Sequence, residues 1–281
     1  MNDDIILTTD LPLASFRKGK VRDLYDLGEK LLIVSTDRIS AFDVVLPNGI
    51  PFKGEAINRL SVFWFNETKD VVPNHILEVV DPRTVLVKKT NPIKIEFIVR
   101  GYLYGSAWRN YKLGKPICGF HLPRSLKKAE KLPEPILTPT TKAEIDHHDV
   151  EMTTEEMAKK IGEDLAEEIK NVCLKIYKRA LTKGETNGII VADTKMEFGL
   201  HEGKLMLIDE LLTPDSSRFW SLEKYQAGRD QESFDKQDVR DYLEATGWDK
   251  KPPPPELPRH VVLETSKKYI EAYERLTGRV F

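Results

Sequence analysis

Cysteine is nearly absent: Cys118 and Cys173 are the only two in 281 residues, and they show no paired spacing. A disulfide scaffold and a zinc ribbon are thereby disfavoured, a reducing compartment fits, and a cytoplasmic location is expected. No apolar run is long enough to span a bilayer. The opening Met1-Asn2-Asp3-Asp4 is acidic and no long apolar stretch follows, which speaks against a secretory signal. Charge of one sign is not in excess either. Lysine plus arginine number 43 and aspartate plus glutamate 45, for a net charge of −2. A nucleic-acid coat needs a basic surplus and is not expected, whereas a local cationic pocket for a small phosphorylated ligand remains open. Several catalytic motifs are missing too. The stretch from Gly49 to Gly54 runs into Glu55 rather than lysine, so there is no Walker A loop, and no G-x-G-x-x-G fingerprint occurs. Without G-x-S-x-G, and with neither cysteine near an activating partner, nucleophilic serine or cysteine chemistry lacks support.

What is present suits a soluble globular chain. Hydrophobic residues make up 40%, too many for disorder, and the length fits one large domain or two modest ones sharing an interface. The first hundred residues read mostly as short strands. Runs at 21–27 and 30–35 flank Gly28 as a hairpin, and 85–88 is another strand. Ile93, Ile95, Phe97 and Val99 alternate with Lys94, Glu96, Ile98 and Arg100, as in a half-buried strand. A helix at about 55–66 carries Ala56, Leu60, Phe63 and Trp64 on one side. Beyond residue 100 helices dominate. Thr153 and Glu156 form a capping box, and Met157, Ile161, Leu165, Ile169, Val172 and Ile176 make one continuous stripe with Gly184 as its stop. Segments 188–198 and 204–211 read as a long hairpin. Helices follow at 235–246 and 260–277, separated by the prolines at 252–255, which act as a stiff spacer. The predicted class is therefore α+β. An antiparallel N-terminal part (1–108) packs on a larger α+β part (109–281).

Three segments could carry chemistry. Lys18, Lys20 and Arg22, spaced by two, share a face of an extended chain, and Gly19 lets the backbone approach a ligand. Three cations on one face suit a polyphosphate, although taken alone the segment favours a solvated, lysine-protected edge strand. In the 188–211 hairpin, Asp193, Lys195 and Glu197 share one face. A three-residue loop over 202–204 would set Glu197 directly opposite Asp209. Two facing carboxylates repel unless a hard cation lies between them, and magnesium commonly uses one or two carboxylates plus substrate phosphates. A two-residue loop would break that register. Finally, Arg100 with Gly105-Ser106, and Arg218 after Asp215-Ser216-Ser217, could bind a phosphate or carboxylate, though each could equally be an ordinary turn or cap. His147 and His148, between Asp146 and Asp149, read as a solvated loop rather than a zinc site.

Together these segments resemble one family, the SAICAR synthetases. The resemblance rests on Gly19-Lys20-Val21-Arg22-Asp23-Leu24-Tyr25, Thr36-Asp37-Arg38-Ile39-Ser40-Ala41-Phe42-Asp43, and Glu96 to Arg100 followed by Gly105-Ser106. It continues through Asp193-Thr194-Lys195-Met196-Glu197-Phe198-Gly199 and Ile208-Asp209-Glu210 up to Thr213-Pro214-Asp215-Ser216-Ser217-Arg218-Phe219-Trp220. Lys94 and Tyr104 depart from the family pattern, which usually has proline and a small residue there. The resemblance implies a kinase-like small lobe over an α+β lobe, with ATP between them. It also implies ligation of the carboxylate of carboxyaminoimidazole ribonucleotide to the amine of L-aspartate, with ATP and Mg²⁺, in de novo purine biosynthesis. It assigns Lys18, Lys20 and Arg22 to the ATP phosphates and Val87, Lys88 and Pro92 to the adenine. Arg100, Ser106 and Arg218 would hold the ribonucleotide phosphate, with Asp37, Arg38 and Ser40 in a substrate loop. Glu197 and Asp209 would hold magnesium, and Asp193 and Lys195 would line the reacting centre. Its partners would then be small molecules, not nucleic acid or membrane. A small-molecule kinase is the alternative, although the H-R-D and D-F-G signatures of protein kinases are absent. A non-catalytic nucleotide-binding module would show no turnover.

Overall fold

The computed structural model describes residues 5–142 and 150–281. The chain begins with β1 (Ser15–Lys18), β2 (Arg22–Asp26), β3 (Lys30–Ser35), β4 (Arg38–Ala41) and β5 (Val44–Gly49), then α1 (Lys53–Glu67). Next come β6 (Ile76–Asp81), β7 (Thr84–Lys88), the two-residue β8 (Asn91–Pro92) and β9 (Ile95–Tyr102). The remainder comprises α2 (Gly105–Lys112), β10 (Lys131–Thr141), α3 (Thr154–Ile161), α4 (Glu163–Thr186), β11 (Ile189–His201), β12 (Lys204–Ile208), β13 (Ser217–Ser221), α5 (Gln237–Ala245) and α6 (Arg259–Thr277).

Two larger antiparallel sheets, with a separate two-stranded β4–β5 sheet, organise these elements. The first has the order β1-β2-β3-β7-β6, and the second runs β10-β9-β11-β12, with β8 and β13 also paired to β11. Alternation explains the second sheet. Met196 and Phe198 of β11 point into the main core, which they share with Phe97 and Val99 of β9 and Ile169, Cys173, Ile176 and Tyr177 of α4, while buried Thr194 accepts from Ser217 Oγ. From Asp193 to Glu197 the odd-numbered residues are thereby turned to the opposite face, whereas Ile189 and Val191, before the bulge between Val191 and Asp193, still lie in the main core. Helix α3 starts at the expected capping box, in which Glu156 N donates to Thr153 Oγ1 and Thr153 N donates to the Glu156 carboxylate.

The apolar stripe predicted as one helix is split. Gly162, at φ 94°, ends α3 and opens α4, a backbone setting that favours glycine. Gly184 does not stop the helix. It lies inside α4, where an added Cβ would come within 2.7 Å of the Ile189 carbonyl oxygen. The boundary expected near 108 also differs from the observed sheets, which change between Lys88 and Asn91, so that β9 belongs to the second sheet. In addition, Ile39, Ala41, Leu46 and Ile50 of the β4–β5 hairpin pack on Val239, Leu243 and Val261 of the C-terminal helices. Sequence order and packing partner diverge there because α1 carries the chain across to α6, placing Ala56 and Ile57 against Tyr269. Among the described residues, no helix is long and apolar enough to cross a membrane.

Candidate active site

The polar face of β11 forms the floor of a cavity of about 970 Å³. Its walls are the β1–β2 hairpin tip, the β4–β5 turn, α2 and the start of α5. Lys195, Glu197, Asp209, Arg218, Lys20, Arg22 and Ser40 all line it.

On the floor, charges are paired across strands. Lys195 Nζ lies 2.9 Å from Glu96 on β9 and 2.8 Å from Glu197. Burial opposes its charge, but the two glutamates outweigh that and hold the ammonium pKa above its ordinary value. Lys142 reaches the other oxygen of Glu197 at 2.5 Å. Arg22 meets Asp209 at 2.8 Å and Glu210 at 3.3 Å. The Asp209 carboxyl is held well below its usual range: burial pushes the other way, yet Arg22, Lys195 and Lys142 prevail. Burial raises the neighbouring Glu210, and Arg22 offsets this only in part.

The expected facing of Glu197 and Asp209 is corrected by the register. Glu197 pairs with Ile208, because the loop is the two-residue turn Glu202-Gly203 with both residues at positive φ. Asp209 nevertheless lines the same cavity as Glu197. It follows the last residue of β12 with φ 70°, a left-handed backbone that interrupts strand alternation. These oxygen donors fit a hard cation. Among the described residues no three acidic, histidine or cysteine side chains form a complete metal cluster, so such an ion would need water or phosphate ligands as well.

At the other end, Asp193 is shared by two arginines. Arg100 Nη1 is 3.3 Å from it, and Arg218 forms the second ion pair. Arg100 also donates to Thr138 Oγ1 at 3.0 Å and to Ser106 Oγ at 3.2 Å. Gly105, at φ 60°, allows Arg218 to come so close that a Cβ would stand 2.6 Å from its guanidinium. Arg218 Nε is buried without a hydrogen-bond partner among the described residues. Arg218 lines the cavity directly, while Arg100, Ser106 and Asp193 stand behind it.

Other expectations are revised. Lys18, Lys20 and Arg22 do not share one strand face: Lys18 ends β1, Lys20 lies in the turn and Arg22 opens β2. Lys18 is exposed and outside the cavity lining. Gly19 closes its own hairpin, its N–H donating to the Arg22 carbonyl at 2.8 Å. Asp37 and Arg38 are buried braces. Asp37 accepts from the backbone of Ile6 and Gly54, and Arg38 donates to the Gly19 and Lys20 carbonyls and pairs with Asp23 at 2.8 Å. Arg38 thereby fixes the hairpin whose tip carries Lys20. Val87 is buried in the first sheet, and Val87, Lys88 and Pro92 fall outside the lining of the cavity. The segment holding His147 and His148 lies outside the described residues.

Sequence reasoning also missed a buried quartet. Asp215 is held by Lys53 at 2.6 Å, by Lys236 at 3.4 Å and by the Tyr269 hydroxyl at 2.8 Å. Burial opposes the Asp215 charge, but Lys236 and Lys53 keep its carboxyl well below the ordinary range. These partners come from α1, the start of α5 and α6, so no local motif announces them.

A floor of buried, paired charges beside a cluster of hard oxygen donors, under a cationic hairpin, defines an ATP-dependent ligase class once the relatives are considered. The family model for SAICAR synthetase matches residues 15–255. The phosphoribosylaminoimidazole-succinocarboxamide synthase of Geotalea uraniireducens is 50% identical, with 98% of each chain covered. That of Thermodesulfovibrio yellowstonii is also 50% identical, over 98% of this chain and 99% of the relative. The Saccharomyces cerevisiae SAICAR synthase, solved in complex with SAICAR, superimposes with a TM-score of 0.89 at 39% identity, covering 98% of this chain and 99% of that one. A SAICAR synthetase solved in complex with ADP gives 0.72 at 25% identity, covering 94% and 98%. The chain belongs to the SAICAR synthetase family. It is an ATP-dependent carbon–nitrogen ligase of purine biosynthesis that acts on small molecules, and its α+β fold is that of the family.

Proposed function

We propose that the cavity joins the carboxylate of carboxyaminoimidazole ribonucleotide to the amine of L-aspartate through an acyl phosphate. A free carboxylate is a poor acyl donor because oxide leaves badly. Accepting the γ-phosphoryl group of ATP converts one of its oxygens into a leaving group that an amine can displace. The observation that carries this reading is the sharing of Asp193 between Arg100 and Arg218, one strand turn from the Lys195–Glu197 pair. It puts an anchor for a distal phosphate beside a site where anions can react.

Arg218, Arg100 and Ser106 bind and orient the ribonucleotide phosphate in this reading, so their contribution is positioning. Lys20 and Arg22 meet the ATP phosphates, and Arg38 keeps that hairpin in place. Lys195 holds positive charge where the carboxylate and γ-phosphate approach each other, and offsets their repulsion. Glu197 and Asp209 are the residues that would hold magnesium, which when bound neutralises phosphate charge. The adenine contact of Val87, Lys88 and Pro92 would require a surface on the first-sheet side beyond the cavity. Ser40 stays with the substrate loop, and the reaction is placed in the cytoplasm, in keeping with two buried free thiols.

A coupled assay tests the reading. ADP release should require both the carboxylated ribonucleotide and aspartate. Release that needs no aspartate would favour a small-molecule kinase instead.

A further inference from the structure

We infer that Lys128 is a further phosphate-binding residue for the ribonucleotide, held beside Arg218 by Tyr104 and Asp230. The inference rests on the reading that Arg218 marks the phosphate end of the cavity. Tyr104, the residue preceding α2, has two cations over its ring: Lys128 Nζ lies 5.3 Å from the ring centroid and the Arg218 guanidinium carbon 5.6 Å. An aromatic face attracts both, and so keeps near each other two groups that would otherwise repel. The Tyr104 hydroxyl donates to Asp230 at 2.6 Å, and Asp230 pairs with Lys128 at 2.5 Å. Tyr104, Lys128, Arg218 and Asp230 all line the cavity.

The backbone under Lys128 is fixed. Its carbonyl accepts from Gly228 N at 2.7 Å. Next to it, Ala129 N donates to the Leu103 carbonyl at 2.8 Å, and the Ala129 carbonyl accepts from the Tyr225 hydroxyl at 2.9 Å. Lys128 is therefore presented from an anchored loop, and its side chain is only 29% exposed. Charge balance points the same way. Arg100, Arg218 and Lys128 share two carboxylates, Asp193 and Asp230, and the nearby Asp235, which also acts on Arg218, is matched by Arg240, which leaves one positive charge over. A phosphate is the guest that such a surplus selects. Lysine serves here as a point charge at the rim, complementing the forked arginines behind it.

Lys128→Gln tests this, because it keeps most of the packed stem and removes the charge. A partly exposed contact of this kind predicts a rise of about three- to tenfold in the KM for the ribonucleotide. The kcat and the KM for ATP should stay within about twofold of wild type. The dephosphorylated substrate, measured as a competitive inhibitor, should bind both proteins equally, and Lys128→Arg should recover most of the loss. An unchanged ribonucleotide KM, an equal loss for the dephosphorylated compound, or an arginine variant no better than glutamine would overturn the assignment. Arg218→Lys, measured in parallel, separates the two readings. If it leaves the ribonucleotide KM intact while Lys128→Gln raises it, the role given to Arg218 fails and that of Lys128 stands.

Discussion

The floor of the cavity and its roof are built on opposite principles. On the floor, Arg100, Asp193 and Glu197 are nearly fully buried: Asp193 is fixed by Arg100 on the adjoining strand, and Glu197 by Lys195 on its own strand and by Lys142. On the roof, Lys20 pairs with Asp43 at 2.6 Å, but their side chains are 56% and 64% exposed. An exposed pair of that kind contributes little to stability and is readily exchanged for another anion. The floor is thus organised before substrate arrives, while the hairpin tip can give up Asp43 for a phosphate. Preorganised charge stabilises a reacting centre because nothing has to reorient during the reaction. Exchangeable charge suits capture and release.

The strongest test of this contrast is Lys195→Met. It leaves Glu96 and Glu197 without the cation between them, and breaking a buried pair costs about 3–5 kcal/mol. We expect turnover to fall by about three orders of magnitude and thermal stability to drop with it. If turnover fell no further than it does in a hairpin-tip variant, the contrast would be lost. Next in size are Glu197→Gln and Asp209→Asn, which remove charge with little change in shape. Each should lower turnover by roughly two orders of magnitude and raise the magnesium concentration needed for half-maximal rate. Normal magnesium dependence in both would remove the metal role from these residues. Arg218→Lys keeps charge but loses the fork. It should raise the ribonucleotide KM by about tenfold or more while the KM for ATP is kept.

A pH experiment probes the buried layer beneath the floor. His75 is buried, its Nε2 has no partner among the described residues, and burial lowers its pKa to about 4, with Asp209 only partly opposing. The unfolded chain therefore binds a proton that the folded one refuses between pH 6.5 and about 4. Stability should be full above that window and be lost as pH falls through it, by on the order of 2–3 kcal/mol. Denaturant melts of His75→Gln should show a flatter profile over the same range. An identical profile would mean that other groups carry the dependence. The smallest effect belongs to the roof. Lys20→Ala should change the unfolding free energy by less than about 0.5 kcal/mol and raise the KM for ATP by only about three- to tenfold. A larger loss of stability than of ATP affinity would make Lys20 a structural residue.

The same contrast decides what could be read from sequence. Floor residues were legible because strand alternation is local: Asp193, Lys195 and Glu197 had to share a face once Met196 and Phe198 faced the core. The register that relates Glu197 to Asp209 was not legible. It depends on one residue of loop length and on the left-handed backbone at Asp209. Asp37 and Arg38 lie in a motif next to the cavity, and nothing local told a brace from a ligand. Lys53, Lys236 and Tyr269 meet at Asp215 only because α1, α5 and α6 converge there. The fold class followed from element types, whereas the place where the sheets change did not, since β9 looks like the strands before it and pairs with those after it.

The acyl-phosphate route can be tested directly with a ribonucleotide whose carboxylate carries heavy oxygen, followed by mass spectrometry of the products. If the floor orients that carboxylate toward the γ-phosphorus, one labelled oxygen must leave with the phosphoryl group when the amine attacks. The predicted result is one label in inorganic phosphate for each amide formed. Amide formation that yields label-free phosphate would contradict the mechanism.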